Sequence, residues 1–135
     1  MQEIPIHFFA ILGAVAAKMA IGALWYSPAL FLNTWLKLSG VTEQQMEEGM
    51  AKALAVELVG SLLMAFVLAH AVRYAGARTA TQGMAVGFFN WLGFIAVVTI
   101  GTVTYLKKPF ALFLLQNGYL LISLVAMGAI LAVWA

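Results

Sequence analysis

The sequence contains no cysteine, which excludes a disulfide framework, a thiolate nucleophile and any thiolate-ligated metal. Charge is scarce too. Only 9% of the 135 residues are charged, where a soluble domain carries about a quarter. So few charges cannot wet the surface of a 14.5 kDa globule, and lipid is the expected solvent for much of it. Seven bases against five acids leave a formal net charge of +2. They are scattered rather than patched, so no nucleic-acid partner is expected. No Ser-His-Asp spacing, phosphate-cradling glycine loop, HExxH or acidic cluster occurs. No enzymatic activity, cofactor or metal is therefore expected.

What the chain has in quantity is apolar surface, 64% of its residues. Crossing about 30 Å of hydrocarbon takes about 20 helical residues, and four segments qualify, at about 4–26, 51–74, 81–105 and 110–134. The first could be mistaken for a signal peptide. It follows an acidic Met1-Gln2-Glu3 rather than a basic stretch, is too long and contains Lys18, so a retained helix is expected. It stops at Ser27-Pro28, because proline disfavours helix in the residue before it. Gly76 breaks the second segment, and Lys107-Lys108-Pro109 separates the last two. Between the first two lies the one long connection, whose 29–38 stretch is apolar and aromatic but too short to span. A short amphipathic helix lying in the headgroup region fits it, ended by Gly40. Thr42 then caps an acidic turn that leads into the second span. The expected fold is all-α: one integral membrane domain over 1–135, a four-helix bundle with a short interfacial helix between helices 1 and 2.

Orientation follows from the basic residues. The long connection and the last one carry Lys37, Lys52, Lys107 and Lys108, against Arg73 and Arg78 in the middle one. The positive-inside rule then places the termini outside and the long connection in the cytoplasm. Four against two is a small bias, and dual topology stays open.

Charges inside spanning helices are the most informative residues, since each costs at least about 2.5–3.5 kcal/mol at the bilayer centre on insertion scales. Lys18 and Glu57 are the two. Counting rise from the shared end of their helices puts Lys18 about 13 Å and Glu57 about 9 Å deep, close enough to meet. Small neighbours, Ala14 and Gly22 for the lysine and Ala53, Gly60 and Ser61 for the glutamate, permit close helix approach. Three readings stay open: a structural ion pair that fixes register, a lysine snorkelling to the surface, or a proton or cation site.

Uncharged polar residues form a second set. Asn90 in the third span and Gln116 and Asn117 in the fourth are expected to hydrogen-bond between helices. The alternative is that they line a polar cavity. Gly83 and Gly87 form a GxxxG packing motif. Thr99, Thr102 and Thr104 can bond their own helix backbone. His7 and His70 lack a neighbouring carboxylate and make a poor metal site. Met19, Met64, Met84 and Met127 read as packing or lipid-facing residues.

Around the first helix end stands Gly22-Ala23-Leu24-Trp25-Tyr26-Ser27-Pro28, followed by Leu30-Phe31 and Trp35. In this motif and in Trp91-Leu92-Gly93-Phe94, Leu112–Leu115, Gly118-Tyr119 and 127–131, the chain resembles a family of small four-helix bacterial membrane proteins. That family is classed as a domain of unknown function, with a GALWY-x-P-x-LF-x-x-x-W signature. The resemblance spans nearly the whole chain and implies the four-helix fold and a bacterial inner membrane, with no activity. Members often carry glycine at the position of Leu32, an acid near Asn117 and a histidine near Leu120. This chain has none of these, which counts against a proton relay in its last helix. Read physically, Trp25, Tyr26, Pro28, Phe31 and Trp35 form an aromatic anchor at the bilayer surface, or else a ledge for a lipid or partner.

The leading functional reading is a non-enzymatic membrane component that packs as a homo-oligomer or with a partner membrane protein, in contact with the lipid bilayer. The alternative is a minimal homo-oligomeric transporter or channel using Glu57, paired with Lys18, as its intramembrane ionisable site.

Overall fold

A computed structural model describes residues 6–134, which contain helix and turn but no strand. The elements are α1 (Phe8–Trp25), a short α2 (Leu32–Ser39) and α3 (Glu43–Tyr74). Then follow α4 (Ala80–Thr104) and α5 (Phe110–Val133). All but α2 are long and apolar enough to cross a membrane. The protein is a helical membrane bundle.

Helix ends follow local chemistry. His7 caps α1, its Nδ1 accepting the Ala10 N–H at 3.3 Å, so α1 begins at Phe8. The expected start at about residue 4 lies outside the described residues. Gly40 closes α2 with φ 77°, a left-handed conformation that a side chain would strain. Thr42 and Gln45 form a reciprocal capping box at the start of α3, with bonds of 3.1 and 3.0 Å that satisfy two orphan donors. From that cap the helix runs 32 residues without a break. At 1.5 Å per residue it is about 48 Å long, some 18 Å more than the hydrocarbon. The apolar stretch at 51–74 is thus the inner part of a longer helix, whose first two turns carry Glu43, Glu47 and Glu48 into the polar region.

Within α4 a π-helical turn runs from Leu92 to Ala96. No proline lies between Ala80 and Thr104, so the irregularity comes from the widened turn itself.

α5 is the centre of the bundle, with α1, α3, α4 and α2 all packed against it. Its tightest seam is with α4. A Cβ on Gly83 would collide with the Gly128 carbonyl oxygen, and one on Gly87 with the Leu124 carbonyl oxygen. Backbones come this close only over glycine. Ala14, Ala65, Val72 and Met127 are fully enclosed between α1, α3 and α5. Outward-facing Val56, Val59, Leu63, Phe89 and Val98 are more than half exposed, the lipid-facing surface the composition requires.

Candidate functional site

At the middle of α1, Lys18 is buried, with 2% of its surface exposed. Its ammonium forms an ion pair with Glu57 Oε1 on α3. It also donates to Ser61 Oγ at 2.9 Å and to the Tyr119 hydroxyl of α5 at 3.0 Å. Tyr119 in turn donates to the same Glu57 oxygen at 3.3 Å. Four side chains from three helices thus close one network. Gly22, one turn after Lys18, makes room for it: a Cβ there would sit 3.0 Å from the Tyr119 hydroxyl. Burial is lopsided, because the Glu57 side chain is 47% exposed against 3% for that of Lys18. Glu57 Oε2 takes no hydrogen bond among the described residues.

Tyr119 is the member that charge-based reading passes over. It lies nine residues into α5, about 13 Å from the end that α5 shares with the long connection, the depth at which Lys18 sits. Ser61, expected only as a small neighbour, is a full hydrogen-bonding member.

A second polar centre surrounds Asn117, which is 4% exposed. Its Oδ1 accepts from Trp91 Nε1 at 3.1 Å, and its Nδ2 donates to Thr99 Oγ1 at 3.1 Å and to the Phe113 carbonyl at 3.2 Å. Trp91 and Thr99 lie on either side of the π turn. In a regular helix eight residues rotate about 80° beyond two full turns. A π turn takes in about one extra residue, so the eight count as about seven and come round to nearly the same face. The widened turn is what lets both side chains reach one amide.

The other two amides do not bond between helices, against expectation. Asn90 Nδ2 donates back to the Val86 carbonyl of its own helix at 2.8 Å, a partner always within reach of a helical side chain. Gln116 makes no hydrogen bond among the described residues, since it lies on the arc of α5 between Tyr119 and Asn117, whose partners are already taken. Gly83 and Gly87 are consumed by α5 of the same chain, so this motif leaves no small-residue face for a second copy.

The aromatic cluster after α1 is tied to the bundle. Trp25 Nε1 donates to the Leu115 carbonyl at 3.0 Å, and its ring covers Gly118 and meets Phe31 at 4.7 Å between centroids. Tyr26 packs edge-on against Trp35 at 6.1 Å and against Tyr119 at 5.5 Å. Pro28 lies in the turn between α1 and α2. The motif therefore joins the α1–α2 corner to α5, directly beside the charged network. His7 and His70 bond locally, His70 Nδ1 to the Phe66 carbonyl at 2.8 Å. No group of three metal-ligating side chains occurs among the described residues.

Nothing among curated proteins matches the chain, nor does any solved structure. A family model does, from residue 9 to residue 132, taking in both polar centres, the aromatic corner and all of the α4–α5 seam. On that match the chain belongs to the family described as protein of unknown function DUF1761.

Proposed function

We propose that this protein is a non-catalytic membrane component whose buried charges lock three helices together. The observation that supports this is the saturation of Lys18. An ammonium has three hydrogens and no acceptor, and those of Lys18 meet Glu57, Ser61 and Tyr119. No donor is left for a substrate, and the shared Glu57 oxygen accepts from both Lys18 and Tyr119. A transport site must instead release its acid to water or a passing cation. Glu57 is half exposed, so that competing reading makes a distinct prediction.

Replacing both charges tests the two. Stranding a buried ammonium without its counter-ion is strongly destabilising, whereas neutral replacement of both partners is often neutral or stabilising. Glu57→Gln, which strands the buried ammonium, should lower the thermal midpoint of the purified protein markedly. Lys18→Met, which leaves the half-exposed carboxylate, should lower it less, and the double variant should recover most of the Glu57→Gln loss. In proteoliposomes under a pH gradient, wild type and double variant should show the same background proton flux. A flux present in wild type and abolished in a folded double variant would overturn the structural reading in favour of transport.

A further inference from the structure

The two histidines lie at the membrane face where α1 begins and α3 ends, and they bond in opposite senses. His7 Nδ1 accepts the Ala10 N–H at 3.3 Å, so this nitrogen carries a lone pair and the proton sits on Nε2. His70 Nδ1 lies 2.8 Å from the Phe66 carbonyl, an acceptor, so there Nδ1 carries the proton. The two rings therefore answer a second proton differently. His70 takes it on Nε2 and keeps its bond. His7 takes it on Nδ1 and loses its bond, because the nitrogen that accepted now donates, and it faces another donor.

What His7 holds is the first turn of α1. A helix begins with four N–H groups that have no partner within it. The Ala10 N–H is shared between His7 Nδ1 and the His7 carbonyl, the latter at 3.1 Å, and the Ile11 N–H takes that carbonyl at 3.2 Å. A neutral ring supplies the extra acceptor. An imidazolium instead sets positive charge at the positive end of the helix dipole. The ring is exposed, so protons reach it from water. It meets the rings of Phe9 and Trp134, at 6.1 and 6.0 Å between centroids, and Trp134 lies over Gly13. α3 faces this turn with Leu62 and Phe66 across a shallow apolar pocket. His7 forms no ion pair with a described residue. The other ionisable side chains at this face are His70, Arg73, Tyr74 and Arg78. Imidazole is the type among them whose charge ordinarily changes between pH 5 and 8, so His70 is the one to be told apart from His7. Glu3 precedes His7 by four residues in the sequence and lies outside the described ones.

We propose that His7 is a pH-operated cap: neutral, it holds the first turn of α1 closed, and protonated, it lets that turn unwind. The stabilisation is present above the titration range of imidazole and is lost as the pH falls through it. α1 is the shortest spanning helix, with 18 residues, about 27 Å against about 30 Å of hydrocarbon. Unwinding residues 8–11 removes about 6 Å of it. It also frees Ala10 and Ile11, both buried, from their packing in the core shared with α3 and α5. Acid on that side of the membrane thus loosens the start of α1, while Lys18, eleven residues further on, stays in its network. The cap works in the same way whether that network locks or transports.

Hydrogen exchange of the full-length protein in nanodiscs tests this, resolved by residue with NMR and corrected for the intrinsic pH dependence of exchange. Between about pH 7.5 and about pH 5, the range over which imidazole titrates, the Ala10 and Ile11 amides of the wild type should lose about tenfold in protection. That is the scale of one cap together with an opposed helix dipole. Amides around Lys18 should keep theirs. His7→Asn supplies an acceptor that takes up no proton and should protect both amides equally at the two pH values. His7→Ala supplies none and should leave them at the low level at both. His70→Gln and Glu3→Gln should respond as the wild type does. Equal wild-type protection at the two pH values would overturn the proposal, as would full protection in His7→Ala or a pH response that persists in His7→Asn. A response abolished by His70→Gln or Glu3→Gln would overturn it too, by assigning the switch to that residue.

Discussion

A buried ammonium in a membrane survives by finding acceptors for all three hydrogens, and Lys18 finds them on three different residues of α3 and α5. Not every buried polar group here is so well served. Ser123 is fully buried, and its hydroxyl oxygen has no hydrogen-bond partner among the described residues. An unsatisfied buried group costs about 1–3 kcal/mol, and removing it relieves that cost. Ser123→Ala should therefore raise stability by about 1 kcal/mol, read as a higher thermal midpoint in detergent. A drop of that size would mean the hydroxyl has a partner in the membrane. Residue by residue, the charged network was partly legible in the sequence. A rise count from where the apolar stretches meet the long connection places Lys18 and Glu57 at similar depths, although α3 itself begins eight residues before residue 51, at Glu43. Tyr119 passes the same count, yet a tyrosine in an apolar run is first of all a packing residue, and only the room over Gly22 marks it out. Trp91 and Thr99 could not be paired from sequence, since a regular helical count puts them about 80° apart.

That last failure belongs to the scale of the element. Nothing in Trp91-Leu92-Gly93-Phe94-Ile95-Ala96 announces a π turn; its reason lies in α5, where Asn117 must be satisfied within an apolar seam. If the turn exists because Asn117 holds both of its ends, removing the amide should release it. Asn117→Leu keeps the volume similar and leaves the Trp91 N–H without its acceptor, at a cost of about 1–3 kcal/mol. Trp91→Phe in the same background should then recover part of the loss, and the two changes should be non-additive by more than about 0.5 kcal/mol. Additive losses would show that the π turn stands without this bond. The ends of the other elements read more directly. Thr42, Gly40 and Gly76 act where their side-chain and backbone preferences direct. The extent of α3 does not, because a capping box continued by an acidic turn extends the helix well beyond the apolar stretch that hydropathy detects.

For the molecule as a whole, the bundle is organised as two seams on different sides of α5. One is polar, where Tyr119 meets Lys18 of α1 and Glu57 of α3. The other is a glycine seam, where Gly83 and Gly87 of α4 press onto the Gly128 and Leu124 carbonyls. α3 and α4 leave a cleft between them rather than a packed interface, so α4 depends on α5 for its place. A bulky residue in the glycine seam should consequently detach α4 while the charged network stays closed. Gly128→Leu places several carbons where the Gly83 carbonyl lies, an overpacking no rotamer change can absorb. Hydrogen exchange of the protein in nanodiscs separates the two seams, because local opening exposes only the amides of the segment that opens. In the variant, amides of residues 80–104 should exchange at least about tenfold faster, a loss of about 1.4 kcal/mol of local protection or more. Those of α1 and of α3 around Glu57 should keep their wild-type rates. Faster exchange spread evenly over all the helices would mean that the two seams form one cooperative unit. In that case the charged network would owe its geometry to α4 as much as to α5.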